Sequence, residues 1–125
     1  MIDFRHVSIA FGDQPVLEDV SFEVQRGSAF CLLGRSGVGK SVTLKLIVGL
    51  LQPDRGGISV EGVDLHRVDA QALSQLRKRM GFVFQNAALF DSISVGENVA
   101  FPLRRHTTLS GEQIRHTAEE KLERV

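Results

Sequence analysis

The stretch GRSGVGKS, residues 34–41, decides the fold class of this chain. It fits the pattern G-x-x-x-x-G-K-[ST], in which glycines allow successive backbone N–H groups to turn inward and form a concave anion site. In such a loop, Lys40 is expected to reach the β- and γ-phosphates of a nucleotide, and the Ser41 hydroxyl to hold Mg²⁺. The pattern therefore predicts a protein that binds a nucleoside triphosphate.

The residues on either side of this loop favour a strand before it and a helix after it. The run SAFCLL, residues 28–33, is continuous and apolar, as in a strand buried on both faces of a mostly parallel sheet. Cys31 in this run is expected to be a core residue rather than a nucleophile. VTLKLIVGLL, residues 42–51, is long and apolar enough for a buried helix. A strand, a phosphate loop and a helix in this order predict an α/β P-loop NTPase core of the RecA-like type.

The rest of the chain predicts an antiparallel β subdomain at the start and mixed strands and helices afterwards. Apolar residues alternate with polar ones on both sides of the GDQP turn. The predicted strands are residues 1–11, 16–24 and 81–84, residues 58–65 are predicted to form strand and turn, and the predicted helices are residues 69–80 and 111–125. The composition shift near Gln85 to Asp91 marks a subdomain border, so residues 1–85 are expected to form the β subdomain and P-loop core, and residues 86–125 the start of a helical subdomain.

The composition narrows the class of protein. Of the 125 residues, 42% are hydrophobic and 24% charged, as in a folded globular chain. Fifteen basic and fifteen acidic side chains cancel, so no global field attracts nucleic acid, and no nucleic-acid partner is expected. The basic run Arg77 to Arg79 is interpreted as a solvated helix end. A single cysteine fits a reducing compartment, and no apolar segment is long enough to cross a bilayer, so a cytoplasmic location is expected.

Three motifs in a fixed order resemble those of ATP-binding cassette (ABC) ATPases. Phe11 precedes the phosphate loop as the family's adenine-stacking aromatic does. LQPDRGGISVEGVDL, residues 51–65, looks like the stretch that follows the loop helix. Residues 77–103 look like the family's glutamine loop, with Gln85 directly after a strand. The resemblance implies that Gln85 touches Mg²⁺ or the attacking water and links the core to a helical subdomain that binds a membrane partner.

The resemblance also implies a set of site residues, with ATP and Mg²⁺ as cofactors. Lys40 and Gln85 would be catalytic, and Ser41 and Gln85 would contact the metal. The expected nucleotide contacts are Phe11, Val16, Gly34, Arg35, Ser36, Gly37, Val38, Gly39, Lys40, Ser41 and Val42. Two positions depart from the common pattern. Phe11 replaces tyrosine, which keeps the stacking face, and Val42 replaces threonine, which leaves only a backbone N–H for the nucleotide.

A narrower resemblance suggests partners. FQNAALFDSISVGENVAFPLRRHT, residues 84–107, is similar to the ATPase subunits of bacterial Mla/Mce-type transporters, which move phospholipids or other lipids between envelope membranes. It implies a nucleotide-binding subunit that couples ATP binding and hydrolysis to transport of phospholipid or another lipid across the bacterial envelope. A transmembrane permease would bind through the region after Gln85, a lipid-binding substrate protein would also take part, and a second ATPase subunit would complete a homodimer. The subunit would lie peripherally on the cytoplasmic face of the inner membrane.

LSGEQ, residues 109–113, differs by one letter from the ABC signature LSGGQ, which binds the γ-phosphate of the opposite subunit. It lies too close to Gln85, however, and Ser110 with Gln113 forms a helix capping box. The predicted helix would bury one face, formed by Ile114, Ala118, Leu122 and Val125.

With LSGEQ assigned to a helix start, three parts of the family's hydrolytic machinery are not recognised in these 125 residues. They are the signature, the Walker B strand ending in Asp-Glu, and the switch histidine. The chain is therefore expected to be the N-terminal portion of a longer ATPase and to hydrolyse ATP negligibly by itself. The four histidines, at positions 6, 66, 106 and 116, are expected at the surface.

Two other functions remain open from the sequence. One is a soluble P-loop kinase or GTPase, against which Phe11 and Gln85 argue. The other is a non-catalytic module whose interactions depend on a bound nucleotide.

Overall fold

The computed structural model describes residues 1–85 and 88–125, which form two compact units, Met1–Met80 and Gly81–Val125. The first unit holds an antiparallel sheet with helices, and the second holds helices, so the α/β class is confirmed. The first unit contains β1 (Ile2–Phe11), β2 (Gln14–Val24), α1 (Lys40–Ile47), β3 (Arg55–Val60), β4 (Val63–Asp64) and α2 (Ala70–Arg77). The second unit contains α3 (Val95–His106) and α4 (Gly111–Leu122).

The sheet of the first unit has the strand order β2-β1-β3-β4, and each neighbouring pair is antiparallel. The predicted antiparallel β unit is therefore confirmed, and residues 58–65 form strand and turn as expected. Phe4 and Val7 of β1 and Leu46 of α1 are the most deeply buried side chains of the core that the sheet and α1 share. Burial of this apolar surface is the main stabilising contribution to the unit.

A bulge in β1 explains the spacing of its buried residues. Phe4 and Val7 are both buried although they lie three positions apart, whereas side chains of a regular strand alternate between faces every residue. The pairing with β2 shifts between these two residues. His6 and Asp19 face each other there with left-handed backbone angles, φ 48° and 51°, and His6 Nδ1 lies 2.7 Å from Asp19 Oδ1. The extra residue turns Val7 and Ile9 back towards the core.

Two predicted strands are not observed. Residues 28–33 and 81–84 form no strand within the described part of the chain. The expectation that Cys31 is a core residue was also wrong, since its side chain is exposed. A strand forms only where its backbone groups pair with a neighbouring strand, and the four paired strands of the described chain do not include these segments. An apolar composition alone therefore does not establish a strand.

The helix that follows the phosphate loop is shorter than predicted. It ends at Ile47 rather than near Leu51, because Gly49 adopts a left-handed conformation with φ 69°. The N–H of Gly49 donates to Leu46 O at 3.0 Å, and the N–H of Leu50 donates to Lys45 O at 2.8 Å. These two bonds form a Schellman motif, which ends a helix by satisfying its last carbonyls.

The second unit is built from two capped helices. α4 begins at Gly111 after Ser110, as predicted, and buries Ile114 and Ala118. Val125 was wrongly placed on the buried face, since it lies beyond the helix and is fully exposed. α3 was not predicted, although Ser94 and Glu97 form the same kind of capping box.

Candidate nucleotide-binding site

The phosphate loop leads directly into the N-terminus of α1. Gly39 is the N-cap, with φ 97°, and within the described chain no side chain caps it. The first turn carries no acidic residue, and Ser41 is exposed there. The first N–H groups of a helix have no intrahelical acceptor and carry partial positive charge, so this end of α1 is suited to bind an anion.

The Lys40 side chain turns back over the loop that precedes it. Its Nζ donates to the carbonyl oxygens of Gly34 and Arg35, each at 2.7 Å. Because an ammonium group has three N–H donors, one donor is left over for a phosphate oxygen in this arrangement. The lysine therefore ties the start of the loop to its end and places its positive charge over the loop.

Gly39 is packed against β2. A Cβ built on Gly39 would lie 2.7 Å from Leu17 Cδ2 and 3.2 Å from the carbonyl oxygen of Val16. The hydroxyl of the buried Thr43 donates to the Gly39 carbonyl at 3.0 Å. Only glycine fits here, because the left-handed backbone and the close contact with β2 both exclude a side chain. The junction of loop and helix is thus fixed against β2, which carries Val16.

The other residues of the first unit that are predicted to contact the nucleotide differ in how exposed they are. Phe11 pairs with Gln14 at the end of the β1–β2 hairpin and is 52% exposed. Val16 and Val42 are partly buried against the core, so they offer mainly backbone groups. The loop residues Arg35, Ser36, Gly37 and Val38 are exposed, and the Val38 side chain covers Gly34.

Gln85, the predicted metal contact and catalytic residue, is exposed in a turn of the second unit. Asn86 and Ala87, which belong to the predicted glutamine loop, lie outside the described residues. The loop that follows is organised by Asn98 of α3. The Asn98 side chain accepts from the N–H of Phe90 at 2.8 Å and donates to its carbonyl at 3.0 Å, and also contacts the carbonyl oxygens of Ile93 and Ser94.

LSGEQ is a helix start in the structure. Ser110 Oγ accepts from the N–H of Gln113 at 3.3 Å, and Gln113 Oε1 accepts from the N–H of Ser110 at 2.8 Å. Both halves of the predicted capping box are therefore confirmed.

In the corresponding box of α3, the Ser94 N–H and hydroxyl both donate to Glu97, and these bonds lower the pKa of Glu97 below its ordinary value of 4.5.

The basic run at the end of α2 is more than a solvated helix end. Arg77 donates to the carbonyl oxygens of Val48 and Gly49. Arg79 pairs with Glu61 at 2.9 Å, and Glu61 also accepts from the N-terminal amine of Met1, which, together with Arg79, lowers the Glu61 pKa. The four histidines are exposed, as expected.

Sequence reasoning missed three residues that organise these sites: Thr43, Arg77 and Asn98. Thr43 could have been suspected, since a threonine in a helix often bonds to the carbonyl four residues earlier. Asn98 carried a weaker signal, as an asparagine inside a helix is unfavourable without a specific partner. The partners of Arg77 could not have been found from local spacing, because they lie 28 and 29 positions away.

A protein-family model described as ABC transporter matches residues 17–125. The chain belongs to the ABC transporter family. Among curated proteins, this ABC chain is 41% identical over 124 residues to "Probable ribonucleotide transport ATP-binding protein mkl" of Mycobacterium leprae, covering 99% of this chain and 36% of that protein. It is 40% identical over 125 residues to "Intermembrane phospholipid transport system ATP-binding protein MlaF" of Haemophilus influenzae, covering 100% of this chain and 47% of that protein.

Solved structures agree on the fold. The dimeric post-hydrolysis structure of the ATP-binding cassette MJ0796, bound to ADP and Pi, matches with a TM-score of 0.87 and 29% identity, over 98% of this chain and 56% of that one. The chain thus spans between about a third and a little over half of the length of these relatives, from 36% to 56%. None of the helices in residues 1–85 and 88–125 is long and apolar enough to cross a membrane.

Proposed function

We propose that residues 34–41 bind the phosphates of Mg·ATP. Lys40 contacts the β- and γ-phosphates, the loop and first-turn N–H groups of α1 surround the phosphate oxygens, and the Ser41 hydroxyl contacts Mg²⁺. The observation that carries this proposal is the lysine held over the loop at the uncapped N-terminus of α1. A single protein ligand, the Ser41 hydroxyl, is enough for Mg²⁺ here. This ion retains several waters and is usually bound through few protein groups together with the substrate phosphates.

Phe11 would supply the face on which adenine stacks. It is half exposed at the end of the hairpin whose second strand packs against Gly39. An aromatic ring that keeps one face open can stack on a base, an interaction of about 1–3 kcal/mol. Gln85 is proposed to contact Mg²⁺ or the attacking water, as the family resemblance implies.

The function supported best is that of a nucleotide-binding subunit of an ABC transporter. In this role the subunit would lie peripherally on the cytoplasmic face of the inner membrane, pair with a second ATPase subunit and contact a transmembrane permease through the region after Gln85. The MJ0796 structure is dimeric. Family membership favours this role over a soluble kinase or GTPase.

A phospholipid or another lipid is the proposed substrate of that transporter. The similarity to MlaF, a protein named for intermembrane phospholipid transport, supports it. The mkl relative is named for ribonucleotide transport, so the two names give different substrates. Reconstitution of the transporter containing this chain into vesicles would decide between them. ATP-dependent transfer of a labelled phospholipid supports the proposal, and transfer of a labelled ribonucleotide instead would contradict it.

Calorimetric titration of this chain with nucleotide tests the binding site. We expect Mg·ATP to bind with one site per chain. GTP is expected to compete for the same site, because every base has a π-face and stacking does not distinguish adenine from guanine. Absence of saturable Mg·ATP binding would contradict the proposal. Hydrolysis by this chain alone is proposed to be negligible, since phosphoryl transfer needs charge placed all around the γ-phosphate. Steady-state ATP hydrolysis by the chain that disappears in Lys40→Ala would contradict the prediction of negligible hydrolysis.

A further inference from the structure

Arg77 binds α1 at the end opposite the phosphate loop. Arg77 is the last residue of α2. Its Nε donates to the carbonyl oxygen of Val48 at 2.9 Å, and its Nη2 donates to the carbonyl oxygen of Gly49 at 2.6 Å. The guanidinium group is planar and holds its donors in a fixed fork, so two such bonds define both the distance and the orientation of the two chain segments.

The two carbonyls that Arg77 binds lie just beyond those used by the Schellman motif. That motif satisfies the carbonyls of Lys45 and Leu46, whereas Val48 and Gly49 follow the last helical residue. The end of a helix also carries partial negative charge, which a cation stabilises. Arg77 therefore contributes both hydrogen bonds and charge at this end of α1.

α1 is a short helix that connects the segment bound by Arg77 to the phosphate loop. Its eight residues span about 12 Å at 1.5 Å per residue. Leu46 and Ile47 are buried in the core near the Arg77 end, and Gly39 is packed against β2 at the other end. Because a helix moves as a rigid element, a shift of its C-terminal end changes the direction of the N–H groups at its N-terminus.

We propose that Arg77 is a positioning residue for the phosphate loop. By holding the end of α1, it sets the angle at which the first turn of α1 meets the nucleotide phosphates. The proposal rests on the proposed function, in that the loop must bind Mg·ATP for its positioning to affect affinity.

Two variants and one matched control test the role of Arg77. Arg77→Lys keeps the charge but loses the fork, and Arg77→Ala loses both. Arg79→Ala is the control, because Arg79 lies two positions away, carries the same charge and pairs with Glu61 instead of α1. Affinity for Mg·ATP is measured at a temperature at which thermal unfolding curves show each variant to be folded.

We expect Arg77→Lys and Arg77→Ala to bind Mg·ATP about fivefold or more weakly, within the range observed for coupling through packed elements. Arg79→Ala should bind like the original chain. Equal affinities for Arg77→Lys, Arg79→Ala and the original chain would overturn the proposal. An equal loss in Arg77→Ala and Arg79→Ala would also overturn it, because that loss would reflect charge or stability.

NMR spectra of the backbone amides, recorded for the chain without nucleotide, supply a second readout. If Arg77 positions the loop, Arg77→Lys shifts the amide resonances of Gly37, Gly39 and Lys40, whereas Arg79→Ala leaves them in place. Shifts confined to the neighbourhood of Val48 and Gly49 would contradict the proposal. Lys40→Ala distinguishes a failure of the proposed Mg·ATP binding from a failure of the positioning role of Arg77. If Lys40→Ala still binds Mg·ATP normally, the proposed function fails. If Lys40→Ala loses binding while Arg77→Lys does not, only the positioning role fails.

Discussion

The Lys40 ammonium donates to the carbonyl oxygen of Gly34, the first residue of its own loop, at 2.7 Å. Together with the bond to Arg35, this contact closes the loop through a side chain of the same chain. A loop that already has its binding shape loses less conformational freedom when a ligand binds. We infer that the lysine has two roles, one in shaping the loop and one in contacting phosphate.

Gly39→Ala should destabilise the first unit more than Gly37→Ala does. Both glycines have left-handed backbone angles, φ 97° and 84°, so each substitution costs about 1–3 kcal/mol in backbone strain. Only Gly39→Ala adds a clash, with Leu17 Cδ2 at 2.7 Å, whereas a Cβ on Gly37 meets nothing within 4 Å. Thermal unfolding followed by circular dichroism measures the difference. Equal losses would show that the contact with β2 is unimportant.

The two capping boxes should respond differently to pH. In the α3 box, hydrogen bonds from Ser94 lower the pKa of Glu97, so the charged form stabilises the fold. A lowered folded-state pKa means that this stabilisation is present above the unfolded-state pKa and is lost as the pH falls through the folded-state pKa. In the α4 box, Gln113 occupies the corresponding position and carries no titrating group. The α3 cap should therefore weaken in acid while the α4 cap does not.

Amide hydrogen exchange measures this contrast within one molecule. We expect the N–H of Ser94 to lose protection between neutral pH and pH values below the ordinary pKa of Glu97, after correction for the intrinsic pH dependence of exchange. The N–H of Ser110 should keep its protection over the same range. Glu97→Gln should abolish the difference. A parallel loss at both positions would indicate general acid unfolding and contradict the assignment.

Asn98→Asp should loosen the loop between Phe90 and Ser94. The substitution keeps an acceptor for the Phe90 N–H but replaces the donor to three carbonyl oxygens by a carboxylate. Two of these three hydrogen bonds are exposed and the one to Ile93 is partly buried, so we expect a loss of about 0.5–1.5 kcal/mol. Asp91→Asn makes the opposite exchange at an exposed position of the same loop and should change stability by about 0.5 kcal/mol or less. A lower midpoint of thermal unfolding only in Asn98→Asp would agree with this account, and an unchanged midpoint would contradict it.

The elements that the sequence predicted best are those set by local chemistry. The phosphate loop followed by α1, the β1–β2 hairpin, α2 and the cap at Ser110 all appear in the structure. Each depends on residues within a few positions of one another, such as Ser110 and Gln113. LSGEQ was interpreted as a helix start on the same local grounds, and its capping box is observed.

The elements that the sequence did not predict depend on distant partners or on conflicting signals. The apolar run around Cys31 was predicted to be a strand, but apolar composition does not supply the neighbouring strand that pairing requires. α3 was not predicted, and Pro102 inside it is a residue that usually argues against a helix interior. The capping box at Ser94 was the signal that should have outweighed that objection.

The central claim is that the loop at residues 34–41 binds Mg·ATP through Lys40. The most direct test is the affinity of the chain for Mg·ATP in the original sequence, in Lys40→Ala and in Lys45→Ala. Lys45→Ala is the matched control, because this substitution removes the same charge from the last turn of the same helix. We predict that Lys40→Ala weakens binding by at least about tenfold, or about 1.4 kcal/mol, while Lys45→Ala binds as the original does. Equal affinities for all three chains would contradict the account.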